Sequence, residues 1–149
     1  MPVLLFVFFY TNSFSQSLED FNDVLAAGKI GKVVTKKVKQ DISERTFMGS
    51  IRNSKGAVKY YVVKEFLRVK AAVVYHGHSR ILFFDHRRKL VMEAILSMPD
   101  ELPFKLKANF LYFRYSEKNG KKIHIENVTK LRSMLCVAPA SCYDISPPE

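Results

Sequence analysis

A chain of 149 residues, 48% of them hydrophobic and including 12 Phe and 7 Tyr, carries enough bulky apolar material for one folded domain, which excludes a disordered chain. Lysine and arginine total 24 against 14 acidic residues, a formal charge of +10 at pH 7 that attracts anionic partners without choosing among them. The sequence contains no G-x-S-x-G, no H-E-x-x-H and no glycine-rich phosphate loop, so the catalytic classes that announce themselves in short motifs are excluded.

The first segment differs from everything after it. Val3 to Tyr10 is an unbroken apolar run, well short of the roughly 20 residues a membrane-spanning helix needs. Ser13 and Ser15 then occupy the two small-residue positions that precede a signal-peptidase cut between Ser15 and Gln16. Residues 1–15 therefore read as a signal peptide, although no Lys or Arg precedes the apolar run. Residues 16–149 read as a single β-rich domain, exported to the periplasm or the extracellular space, with no membrane span in the mature chain.

Ser17 is an N-cap candidate, Leu18, Phe21 and Leu25 share one helical face, and Gly28 offers a stop, which predicts a short helix over about 18–27. From Lys29 onward the signals are those of strands. KVVTKKVKQ is rich in Val, Thr and Lys, and TFMGSIR leads into an Asn53–Gly56 turn. AVKYYVV follows, and VVKEFLRVKAAVV also fits helical spacing at Val62, Phe66, Val69 and Val73, but its β-branched content favours a strand with a bulge or bend. SRILFFD, KLVMEAIL, KANFLYFRY and KKIHIEN complete the series, separated by short polar turns.

These runs predict an α+β fold: the short N-terminal helix packed on a curved antiparallel meander of about six to eight strands, with a small closed β-barrel as the alternative. In KKIHIENV, Ile123 and Ile125 alternate with Lys122, His124 and Glu126, so the polar side should be the wet one. Around Phe110–Tyr115 both faces are apolar, which predicts a central strand whose second face is covered by the helix, by a second sheet or by a ligand, the helix being the economical cover.

Three of the four histidines fall in VVYHGHSRILFFDHRRK. His76 and His78 share a face if the backbone is extended, and with His86, or with Asp85 or His124, they form the one candidate metal site. Against it, Gly77 between polar residues reads as a turn, with Arg80 to Phe84 the strand between two hairpin turns, and Arg87, Arg88 and Lys89 would repel a cation beside His86. Ser79 next to His78 cannot form a relay, because strand neighbours point to opposite faces.

The basic clusters are Lys36, Lys37 and Lys39 at a predicted edge and Arg87 and Arg88 at a hairpin, a candidate anion-binding surface or simply a lysine-protected edge. No RNA-binding signature accompanies them, which disfavours nucleic acid as the polyanion. Cys136 and Cys142, around a turn containing Pro139, should form a disulfide that staples the C-terminal segment, with the ISPPE tail ordered only as far as the staple reaches. The expectation is a binding or interaction domain with no catalytic residue and no cofactor, whose partner is an unidentified protein or anionic ligand. The competing readings are a metal-dependent or hydrolytic enzyme built on the His76/His78 turn, and a binder of acidic polysaccharide, lipid headgroups or nucleic acid.

Overall fold

The β-branched and aromatic runs that begin at Val33 become ten antiparallel strands in the computed structural model, which describes residues 22–24 and 29–148. In chain order they are β1 (Val33–Val38), β2 (Asp41–Arg52), β3 (Val58–Ala71), β4 (Val74–Asp85), β5 (Leu90–Leu96), β6 (Lys105–Lys107), β7 (Phe110–Glu117), β8 (Gly120–Asn127), β9 (Met134–Ala138) and β10 (Ser141–Ser146). One 3-10 turn, Pro99–Glu101, lies between β5 and β6. The proposed signal peptide and most of the expected helix lie outside the described residues, but residues 22–24 are helical.

The strands form two sheets, not one meander. Seven run in the order β1-β2-β3-β4-β5-β10-β9 and three in the order β6-β7-β8, and neither closes into a barrel. β1 to β5 follow the hairpin order that the turn residues predict. β3 is a continuous strand over Val58–Ala71, which resolves the helix-or-strand ambiguity of that segment in favour of strand.

The two faces of the larger sheet bury different things. On one face Met48, Ile51, Val62, Ile81, Phe83, Ala94 and Leu96 pack with Leu111 and Phe113 of the smaller sheet and with Val128, Leu135 and Val137, and this is the main core. A bulge at Met48 helps admit the second sheet: Gly49 adopts φ +129°, and a side chain there would meet Leu106 of β6 at 3.4 Å. On the other face Val24, from the helical residues, packs with Val63, Leu82 and Phe84.

Three sequence expectations change. The helical residues cover the larger sheet and not β7, whose second face points outward through Phe110 and Tyr112. In β8 the faces are reversed: Ile123 and Ile125 are 58% and 51% exposed, while His124 and Glu126 are the half-buried pair. The cause is register, since His124 lies opposite the buried Phe113, and Glu126 opposite the buried Leu111, at the margin of the core. Finally, the C-terminal segment is ordered beyond the staple: Ile145 and Ser146 pair with Ala94 and Glu93 of β5, which joins β9 and β10 to the larger sheet.

Candidate functional site

Side chains alternate along each strand, so cross-strand register decides which charges meet. One row across the helix-bearing face of the larger sheet reads Val34, Arg45, Glu65, Arg80, Ile95, from β1 to β5. The middle three are ionisable, and Glu65 is only 1% exposed. Its Oε1 accepts from Arg45 Nε at 2.7 Å and from Ser43 Oγ at 3.0 Å, and its Oε2 accepts from Arg80 Nε at 2.7 Å and also from Arg80 Nη2. Arg80 Nη1 donates onward to Glu93 Oε2 at 3.0 Å.

Burial alone would raise the Glu65 pKa, but the two arginines and their hydrogen bonds outweigh it and hold the carboxyl below its ordinary range. Glu65 is thereby a poor base. Ser43, whose hydroxyl donates to it, is not activated as a nucleophile by a carboxylate that already accepts from two guanidinium groups.

This network forms the floor of an open cavity of about 240 Å³, with Lys36, Val38, Asp41 and Leu67 completing its walls. A smaller hollow joins it to Asp23 and Val24 of the helical residues. The arrangement offers a shaped, partly apolar recess whose buried charges neutralise one another. Among the described residues that line it, Ser43 is the one hydroxyl, and its partner is the ionised Glu65.

The sequence-based candidates are distributed around the molecule. Lys36 lies in the cavity wall. Lys37 alternates to the opposite side of β1, and Lys39 sits in the β1–β2 turn at φ 55°. Arg87 and Arg88 are in the β4–β5 turn, at the other end of the sheet, where Arg88 Nη1 donates to Asn22 Oδ1 at 2.9 Å. The two basic clusters therefore do not form one surface patch.

The histidine segment is also corrected. β4 runs unbroken from Val74 through Gly77 to Asp85, so His76 and His78 stand on a strand and the first turn falls at Ala72–Val73. Gly77 is needed for packing and not for turning: a Cβ there would meet the Phe66 ring at 2.9 Å. His76 and His78 do share one face, as extended backbone requires, and both are exposed. His86 lies in the second turn as expected, roughly 24 Å of strand from His78, too far to share an ion with it. His124 contacts Glu126 at 3.2 Å in the smaller sheet. Among the described residues no group of three or more His, Cys, Asp or Glu side chains converges.

Glu65, Arg45, Arg80 and Glu93 are the site residues that sequence reasoning missed. A signal was present, since Glu65 interrupts the face that carries Val63 and Leu67, and Arg80 the face that carries Leu82 and Phe84. Cys136 and Cys142 are bonded, as expected, and are direct cross-strand partners in β9 and β10. No family description, curated protein or solved structure matches the chain.

Proposed function

We propose that this chain is an exported, non-catalytic binding domain that takes its ligand in the recess over the Arg45–Glu65–Arg80–Glu93 network. The observation that carries this reading is the state of the recess: its buried charges are already compensated, its one hydroxyl is tied to an ionised carboxylate, and Val38 and Leu67 add apolar wall. Such a surface suits recognition of a partly apolar ligand, with Lys36 at the wall to meet an anionic group. The Cys136–Cys142 disulfide supports an oxidising compartment, and no helix among the described residues is long and apolar enough to cross a membrane.

The test is mass spectrometry of the chain purified from its own host, first under native conditions for retained ligand and then denatured for the intact mass. A mature chain starting at Gln16 with a ligand that Leu67→Trp excludes supports the reading. Ester hydrolysis abolished by Ser43→Ala, or stoichiometric zinc lost from a His76→Ala/His78→Ala variant, would replace it with the enzyme reading.

A further inference from the structure

A second cavity, of about 370 Å³, lies on the opposite face of β3 from Glu65, where the segment around Pro99–Glu101 passes between the two sheets. Lys64 enters it from β3 and Arg114 from β7, with Lys121 of β8 nearby and Asp100 as its single carboxylate. Lys64 is half-buried, and its Nζ donates to Pro103 O at 3.0 Å, a neutral acceptor. The Arg114 guanidinium lies 4.1 Å from the centre of the Phe104 ring. Among the described residues neither cation forms an ion pair.

Burial, and then the charge of Arg114, push the Lys64 pKa down. A surface lysine ordinarily avoids both by turning to water. Here the carbonyl of Pro103 and the packing around the stem keep Lys64 facing another cation. The partly buried arginines of the larger sheet, Arg45, Arg68 and Arg80, each have a carboxylate partner, whereas Lys64 has a neutral one.

We propose that this cavity binds a small phosphorylated ligand, its phosphate held between Lys64 and Arg114 and its organic part against Phe104 and Leu102. An oxyanion between the two cations removes their mutual repulsion. A doubly charged tetrahedral group suits a cavity lined by Lys64, Arg114 and Lys121 better than a single carboxylate does, because it presents acceptors to a planar guanidinium and to an ammonium group from different sides. Ser116, also in the lining, adds a neutral donor. The site shares no residue with the recess over Glu65, so either can fail without the other.

The experiment titrates the full disulfide-bonded chain with inorganic phosphate and with phenyl phosphate at low salt, followed by NMR of the Lys64 ammonium and by calorimetry. Arg114→Gln and Lys64→Met are compared with Lys55→Gln, an exposed turn position that removes the same charge. The parent should bind phenyl phosphate with a rise in the Lys64 pKa. Arg114→Gln and Lys64→Met should each weaken binding about tenfold or more, and Lys55→Gln should not. Co-sedimentation with phosphatidylcholine vesicles, with and without phosphatidic acid, separates the sources: Arg114-dependent binding to the acidic vesicles places the phosphate on a lipid, and its absence with phenyl phosphate bound places it on a soluble ester. No binding by the parent, or equal losses in Lys55→Gln and Arg114→Gln, overturns the proposal. If Lys64→Met does not fold, Arg114→Gln, at an exposed side chain, decides alone.

Discussion

Glu65 illustrates how one buried charge sets the behaviour of its neighbours. Removing it leaves Arg45 and Arg80 facing each other across the sheet, a loss of the kind that costs about 3–5 kcal/mol, so Glu65→Ala should strongly lower the urea midpoint. The pH dependence has a definite sign. The folded pKa of Glu65 lies below the unfolded value of about 4.3, so its contribution is complete above that value and is lost as pH falls through it toward the folded one. Stability measured from neutral pH down to about pH 3 should therefore fall more steeply in the parent than in Glu65→Gln, and equal slopes would show that the carboxylate is not the acid-sensitive group. Gly77 makes a separate point at the same scale. A Cβ at this position sits 2.9 Å from the Phe66 ring, so Gly77→Ala should cost about 1–2 kcal/mol, and most of the loss should disappear in a Phe66→Leu background, where the ring is gone. An undiminished loss in that background would mean that the backbone, and not the ring, requires glycine.

Between residues and the whole, the β9–β10 hairpin is the element whose stability depends most on a covalent link. Its disulfide closes a short loop between directly paired residues, so the chain-entropy estimate is only about 2 kcal/mol. Its effect should nevertheless spread, because Ile145 and Ser146 connect the hairpin to β5. In a Cys136→Ser/Cys142→Ser variant, hydrogen exchange should accelerate first in β9 and β10 and then at Ala94, while β2 and β3 keep their protection. Uniform acceleration throughout the chain would argue that the staple stabilises the fold globally. This hairpin also marks a limit of sequence reading. LCVAPASCYDIS has the alternation of two strands, yet its small residues and Pro139 suggest a stapled turn, and β6 is a three-residue strand with no periodicity to detect. The longer strands were legible because apolar runs of hairpin length are separated by turn residues. Which face of β8 is dry was not legible, since Ile123 and Ile125 alternate correctly but the partner strand decides which side meets the core. For the same reason only Lys36 of the recess was found from the sequence: Arg45, Glu65 and Arg80 become a site only when three strands are aligned in register.

At the scale of the molecule, the question is whether two sheets make two folding units or one. The main core answers it, because Leu111 and Phe113 of the smaller sheet are buried in the same cluster as Val62, Ile81 and Phe83 of the larger one. A three-stranded sheet with β8 at an edge and Ile123 and Ile125 turned outward has no second core of its own to stabilise it. The smaller sheet should therefore unfold with the larger one. Phe113→Ala removes a fully buried ring at the junction and should cost about 3–5 kcal/mol. If the junction is the core of one unit, urea unfolding of this variant stays a single transition, with far-UV circular dichroism and the exchange of amides in β3 and β7 moving together to a lower midpoint. If β7 and β8 instead lose protection at denaturant concentrations where β2, β3 and β4 remain intact, the smaller sheet is a separately melting layer. The cavity between Lys64 and Arg114, which takes one wall from each sheet, would then open before the recess over Glu65 does.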